Sequence, residues 1–485
     1  MKILPDALAI EADLAQLLEE AQQAARAAGR PVWAAYVTPA AAGDPIAVFA
    51  SAHDAPRFFW ATPGRTLTLA ATGASHTIAP SGPEPLKDVR DALNATPLIV
   101  HSRLPLPHGA GPLFVGASAF RPGPVDGRWS PWAGFPNALF TLPEFTYAKS
   151  GTEGWLTQTV AVAPGDDLRL VAERAALARR RVLAALYSSA SHLAPPAARA
   201  SQARRLPFAE NAAQLAAWRE SVRSVAAAAR AGRVEKAVLA RCVRVPMPAP
   251  LDVARLVAAL LESHPQSFVF SVSAGAGHRE RHFIGATPER LLAVTERRVL
   301  SAALAGTTRR GADAAEDGAL ARELFASAKE RHEHELVRRW LLERLGPACS
   351  RLDAPDCPGV LRFPNVQHLF TPVEGVLRAP THILDLVARV HPTPAVGGTP
   401  LDEALRLIAA HEPVDRGWYA GPVGWVNPAG EGEFAVGIRS AILDASGATL
   451  FAGCGIVADS DPARELEESR LKLNVMLEAL ERALP

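Results

Sequence analysis

The chain has 485 residues, a formal net charge of +1 and a hydrophobic fraction of 48%. That is enough length for a large core, with no basic surplus for holding nucleic acid. It contains no run of 18 or more apolar residues, so no membrane-spanning helix is expected, and MKILPDALAI lacks the apolar core of a secretion signal.

An Ala-rich amphipathic pattern predicts a helix over 9–28. Short strand-like runs follow: PVWAAYVT, IAVFASA, RFFWA, LFVGASAF and GWLTQTVAV. A helix is expected around 167–187. The stretch 188–207, rich in Ser, Ala and Pro, reads as a surface linker. Beyond it, helices at roughly 210–231, 252–264, 314–345, 401–411 and 461–483 alternate with strands. Strands joined by hairpin-like turns argue for an α+β fold of antiparallel sheets with helices outside. The four cysteines (Cys242, Cys349, Cys357 and Cys454) show neither metal nor redox spacing. They read as reduced thiols of a cytoplasmic protein.

Two helices carry paired carboxylates. In AKERHEHELV, His332 and His334 are two residues apart, which on a helix sends them to different faces and rules out a zinc-protease pair. Glu330 and Glu333 are spaced i, i+3 and lie side by side, and Val337 and Leu341 continue their stripe. A single such pair reads more readily as a solvated face. The last helix repeats the arrangement, however: Asp461 and Pro462 start it, Glu465 and Glu468 sit at i, i+3, and Lys472 and Met476 run on. Two facing acidic pairs repel unless a cation lies between them. Oxygen-only ligands suit a hard ion, Mg2+ above all.

VEKAVLARCVRV reads as a strand with Lys236 on the face of Val234, Val238, Ala240 and Cys242. Such a lysine either snorkels to water or, desolvated among apolar neighbours, serves as a base. FIGATPERLLAV is a strand interrupted at Thr287-Pro288, leaving Glu289 at a corner. An exposed corner makes it an ordinary loop carboxylate; a buried one raises its pKa and makes it a candidate general acid. ALAGTTRRG and FAGCGIV read as glycine turns whose N–H groups could hold a carboxylate. EFAVGIRSAILDA reads as one apolar strand enclosing Arg439, which faces either solvent or a buried anion. No phosphate-binding or dinucleotide glycine loop and no serine-nucleophile elbow occurs.

Taken in order, KAVLAR, ATPERLL, ALAGT, KERHEHELV, PNVQHL, HPTPAVGGTP, GWYAGPVGW, IRSA, AGCGIV and ELEESRLKL resemble the chorismate-binding enzyme family. The resemblance is strong over 208–485 and most like the isochorismate synthase branch. It implies two large antiparallel sheets packed face to face with helices outside, and chorismate as substrate. By this resemblance Lys236 is the base that activates water for attack at C2, and Glu289 is the acid that protonates the departing C4 hydroxyl. Glu333 and Glu468 match direct Mg2+ ligands, with Glu330 and Glu465 reaching the metal through its waters. Gly306 and Thr307 would aid in holding the ring carboxylate. Tyr419, Arg439, the Gly453–Gly455 turn and Lys472 would hold the enolpyruvyl carboxylate, and His368 and Ala395 would lie near the reacting ring. Isochorismate-releasing members typically carry Ala where Ala395 stands, whereas other branches carry Thr. SAALAGT departs from the family's usual Pro-Leu-Ala-Gly-Thr.

The expected layout is an N-terminal half over 1–187, the linker-like 188–207, and a catalytic region over 208–485. A salicylate synthase is the nearest alternative within the family. An ammonia-using anthranilate or aminodeoxychorismate synthase is disfavoured because that branch lacks the base lysine, so no glutaminase subunit is expected. A non-catalytic chorismate-binding protein is disfavoured by intact Lys236 and Glu289. The absence of a coiled-coil seam points to a monomer. Menaquinone or siderophore formation are equally compatible destinations for the product.

Overall fold

Two large sheets, each assembled from segments far apart in the chain, enclose one apolar layer. In the computed structural model, residues 7–52, 55–123, 131–188, 206, 210–247, 251–275, 280–363, 366–413 and 415–484 are described. The first sheet has twelve strands and the second ten. Neighbours are antiparallel, apart from the parallel pair of Val32–Ala40 with Leu98–Ser102 at one edge of the first sheet. Both sheets take strands from before residue 188 and from after residue 235.

Period-two alternation sets the layers. In the strand Phe268–Ala274, Phe268, Phe270 and Val272 enter the layer between the sheets. There they join Trp60 from the same sheet and Phe140, Trp425 and Phe434 from the other. Val269 points the other way, into a second cluster with helices Val253–Ser263 and Pro462–Ala483. These two helices therefore pack on the outer face of the first sheet, as expected.

The structure corrects several local expectations. IAVFASA is a short helix, Pro45–Ala50, and not a strand. Asp44 caps it by accepting from Ile46 N at 2.9 Å, and Pro45 starts it with a preset φ, so capping outweighs the β-branched content. The single helix expected over 314–345 is two, Ala314–Ala326 and Ala328–Leu345. Ser327 is extended between them, and its hydroxyl accepts from Glu330 N at 3.3 Å. ALAGTTRRG and FAGCGIV are not turns: Gly306 lies within the strand Arg298–Arg309, and Gly453 and Gly455 within Gly447–Ile456. The linker expected at 188–207 lies outside the described residues except for Ser188 and Leu206.

FIGATPERLLAV breaks as expected, and the break is also a change of sheet. Arg281–Thr287 belongs to the first sheet and Arg290–Thr295 to the second. EFAVGIRSAILDA does the same, against expectation: Gly432–Val436 is in the second sheet and Ser440–Asp444 in the first. These two crossings lie side by side. Val436 N donates to Glu289 O at 3.0 Å, and Ala286 N to Arg439 O at 3.1 Å.

Candidate active site

The crossings deliver one acid and one base-strength cation to the space between the sheets. Pro288 cannot donate to a ladder, so the first strand ends and the chain turns. Glu289 follows, buried, with no hydrogen-bond partner for its carboxylate among the described residues. Burial raises its pKa to about 7, against the pull of Arg439 and Lys236, so a large share is protonated at neutrality. At the second crossing Arg439 adopts φ +50°, a left-handed conformation that costs energy for a residue with a Cβ. Its guanidinium has no anionic partner among the described residues, and burial lowers its pKa. Ala420, beside Tyr419, also has φ +61°.

Lys236 opens the strand Lys236–Pro246 and is buried. Its Nζ lies 3.1 Å from Glu333 Oε2. The neighbouring strand makes room for it by omitting side chains, since a Cβ on Gly455 would come within 2.4 Å of Lys236 Cε. A Cβ on Gly453 would sit 3.1 Å from the Tyr419 hydroxyl. The expected turn at Gly453–Gly455 is thus a stretch of strand kept bare on its inner face. Tyr419 is buried, its ring stacks on Phe451 with centroids 5.2 Å apart, and burial pushes its pKa up to about 12.

The two acidic pairs approach from the helices. Glu330 Oε2 accepts from Thr307 N at 3.1 Å, Glu333 is held by Lys236, and Glu468 Oε1 is 2.6 Å from Lys472 Nζ. Lys472 Nζ also donates to Gly453 O at 2.8 Å. Burial, then the Glu333 charge, raises the pKa of Glu330. Burial, then the Glu468 charge, raises that of Glu465 to about 7. Burial also pushes Glu468 upward, but Lys472 reverses the shift and holds it below the ordinary carboxylate range. Glu465 Oε2 is buried without a partner. Cys454 Sγ and carboxylate oxygens of Glu465 and Glu468 lie within 4.8 Å of one another, and no set including Glu330 or Glu333 is that tight among the described residues. The Cys454 thiol donates to Glu465 O at 3.3 Å, and burial pushes its pKa far up, so the thiol stays protonated.

Gly306 sits at a bulge between Ala305 and Thr307 with φ +76°. The Thr307 amide does hold a carboxylate, as an exposed amide should, but it belongs to Glu330 of the protein itself. His368 Nδ1 is 2.9 Å from Thr307 Oγ1 and 3.3 Å from Gly306 O. The carbonyl can only accept, which assigns the proton to Nδ1 and leaves Nε2 as an acceptor without a partner. Burial, with Arg439 and Lys472 adding to it, drops the His368 pKa to about 3, so the ring is neutral. His334 is buried with Nε2 2.8 Å from Thr371 Oγ1, while exposed His332 meets Glu235: different faces, as their spacing requires.

A cavity of about 100 Å³ brings together Lys236, Glu289, Gly306, Thr307, Glu333, His368, Ala395, Tyr419, Arg439, Gly453, Gly455, Glu468 and Lys472. It adjoins one of about 750 Å³ that shares Thr307, His368, Arg439, Glu468 and Lys472. Of the site residues expected from the sequence, Glu330 and Glu465 are not in the wall of the smaller cavity. Each is one helical turn from a carboxylate that is, Glu333 and Glu468 respectively. Sequence reading passed over Arg416, which also lines the cavity. The signal available was weak: Glu412 and Arg416 are four residues apart, the spacing of a helical ion pair.

The chorismate binding enzyme family matches this chain over residues 18–481. Isochorismate synthase MenF of Bacillus subtilis is 32% identical over 446 residues, covering 90% of this chain and 91% of that protein. The salicylate biosynthesis isochorismate synthase of Pseudomonas aeruginosa is 35% identical over 469 residues, covering 95% and 93%. Among solved structures, the menaquinone-specific isochorismate synthase MenF of Escherichia coli superposes with a TM-score of 0.74 at 24% identity, covering 96% and 99%.

Proposed function

Because this chain belongs to the chorismate-binding enzyme family, we propose that it is an isochorismate synthase, converting chorismate to isochorismate. The observation that carries the reading is the coexistence, in one cavity wall, of an amine, a carboxylic acid with a pKa near 7, and a guanidinium without a partner. Exchange of a C4 hydroxyl for a C2 hydroxyl needs all three. Water is a poor nucleophile, and Lys236, as the neutral amine released from Glu333, takes its proton as it adds at C2. Both ring double bonds shift by one position, and the C4 oxygen leaves with a proton from Glu289, as water and not hydroxide. One water enters and one departs, so the net change is an isomerisation. Arg439 offers its fork to the enolpyruvyl carboxylate, with Tyr419 and Lys472 beside it. Neutral His368 turns an acceptor nitrogen toward a ring hydroxyl. A ligand with two carboxylates needs more than about 100 Å³, given that small-molecule pockets run to roughly 300–1,000 Å³; the adjoining cavity supplies the remainder.

The donor set fits a hard divalent cation. Two helices each bring a pair of carboxylates near enough for the Glu468 charge to act on both Glu465 and Glu330, two have raised pKa values because their charges are buried and repel, and one buried oxygen lacks a partner. Glu333 and Glu468 would hold Mg2+, with Glu330 and Glu465 acting through its waters. Bound there, the ion would neutralise the substrate's ring carboxylate. Until then Lys236 and Lys472 serve as the counter-charges.

The same proposal assigns residues 208–485 as the catalytic region and 1–187 as the half that completes both sheets. It places the protein in the cytoplasm, supported by four free cysteines, and takes it to be a monomer. The test is direct: the purified protein, chorismate and Mg2+, with products separated by chromatography. Isochorismate is the expected product. Salicylate with pyruvate would mark a salicylate synthase instead, and unchanged chorismate would mark a binding protein.

A further inference from the structure

Two arginines line the cavity, and they differ in what their donors do. Arg439 has none committed. Arg416 has four of its five N–H groups in use. Its Nε lies 2.9 Å from Glu412 Oε2, and its Nη2 donates to Glu412 Oε1 at 2.5 Å and to Val238 O at 2.6 Å. Its Nη1 donates to Val396 O at 2.8 Å. The pair is almost wholly enclosed, with side chains 4% and 6% exposed. Glu412 in turn accepts from Ala240 N at 2.7 Å. Such a guanidinium is poorly placed to grip a substrate carboxylate. What it does grip are two backbone carbonyls, one two residues after Lys236 and one directly after Ala395.

The surroundings extend the clamp. The guanidinium stacks on Phe120 at 4.2 Å, Phe120 N donates to Gly417 O at 2.7 Å, and His391 Nε2 is 3.3 Å from Phe120 O. Phe120 thus ties a segment from the N-terminal half to the turn 391–397 and to Arg416. The Lys236 strand pairs with Gly398–Thr399 at two register positions, flanked by Glu235 N donating to Thr399 O at 2.8 Å and Val238 N to Gly397 O at 3.0 Å. Beyond them, the edge of this strand at Val238 and Ala240 meets the Glu412–Arg416 pair.

We infer that Arg416, with Glu412 as its counter-ion, is a positioning residue that holds the Lys236 strand and the Ala395 turn at a fixed separation across the site. This rests on the assignment of Lys236 as base. A buried ion pair is not itself good evidence of stabilisation, since apolar or neutral replacements of both partners are often tolerated. Retaining it where its donors span two walls of a cavity points to geometry. A displacement of about 1 Å at a reacting group can cost about 10²-fold in rate.

Three variants test this. Arg416→Met strands a buried carboxylate, so thermal stability and turnover should both fall. The double variant E412Q/R416M removes both charges, and stability should return while kcat for chorismate consumption stays roughly ten- to a hundredfold low. KM should change little, because Arg439 and Lys472 are intact. Arg416→Lys keeps the charge but cannot span both carbonyls; it should fold and show the same loss in kcat. Recovery of kcat together with stability in the double variant, or full kcat in Arg416→Lys, would overturn the inference in favour of a structural role. A large rise in KM at unchanged kcat would overturn it in favour of a substrate grip. Hydrogen exchange gives a readout independent of the reaction: in Arg416→Lys, protection should drop at Ala240 and across 391–397 and nowhere else. If wild-type protein consumes no chorismate, the functional assignment fails while the exchange result still decides whether Arg416 clamps these segments.

Discussion

The two sheet crossings and the two acidic helices meet in one cavity but hold their charges in opposite ways. On the helices three of the four carboxylates are matched within the protein, Glu330 by the Thr307 amide, Glu333 by Lys236 and Glu468 by Lys472, while Glu465 Oε2 is buried without a partner. At the crossings Glu289 and Arg439 are fixed by backbone, one behind a proline and one at φ +50°, and neither side chain has a hydrogen-bond partner among the described residues. Groups placed by backbone alone face the substrate without reorganising, which is where preorganisation is most effective. Groups paired with lysines can exchange that partner for an incoming cation. Under the proposed function the helices are the side that would accept the metal, and the crossings the side that would meet the substrate.

If that division holds, the helix side should fail most completely. Glu333→Gln and Glu468→Gln should each reduce turnover to background while circular dichroism stays native, and a chelator should do the same to the wild-type protein until Mg2+ is restored. Full activity in chelator would erase the distinction between the two sides.

The acid at the crossing and the strand lysine that pairs with Glu333 should give a graded loss. Glu289→Gln removes leaving-group protonation, and Lys236→Ala removes water activation; each should lower kcat by about 10²–10⁴-fold, the usual range for one proton-transfer group. Near-normal turnover in Lys236→Ala would leave that lysine only as the counter-ion of Glu333.

The contrast also governs what was readable in the sequence. The acidic pairs follow from i, i+3 spacing alone, because helical periodicity is local and survives any tertiary context. The Pro288 corner was legible for the same reason, since a missing N–H ends a ladder wherever it falls. The crossing at Arg439 was not: EFAVGIRSAILDA is apolar throughout, and nothing in its period announces that one half pairs in each sheet. Gly453 and Gly455 read as a turn because glycine usually marks one, whereas here it keeps a strand bare beside Lys236 Cε. IAVFASA misled by composition, with Asp44-Pro45 as the overlooked start signal. The contribution of Arg416 depends on carbonyls of residues 238 and 396, a relation that only the fold creates.

A smaller effect concerns pH. Burial raises the Glu289 pKa from 4.5 to about 7. The folded state therefore binds this proton more tightly than the unfolded chain does. Its contribution to stability is fully present below about pH 4.5 and is lost as pH rises through about 7. Glu289→Gln stays neutral throughout, so its melting temperature should gain on that of the wild type between pH 5 and pH 8. Turnover by the wild type should fall on the alkaline side as the acid loses its proton, and the residual activity of the Gln variant should lack that limb. A wild-type profile flat from pH 6 to 9 would remove Glu289 from the role of acid.

The smallest expected change lies at Ala395, in the turn that Arg416 holds. Ala395 lines the cavity and is packed against the core between the sheets. A methyl group there makes no hydrogen bond, so the pose of the ring is set by the crossings and the carboxylate grips. A threonine hydroxyl at this position could donate or accept a bond and shift either the ring or a local water. Shifts of about 1.4 kcal/mol in the relative heights of two barriers change a product ratio tenfold. The wild-type protein should therefore release isochorismate with little salicylate, and Ala395→Thr should lower isochorismate formation and raise the share of pyruvate lost. The measurement is a product ratio over time at neutral pH for both proteins, starting from fresh chorismate without added lyase. Wild-type protein that yields mainly salicylate and pyruvate would show that the methyl group does not decide the outcome, and the turn would lose its place in the comparison.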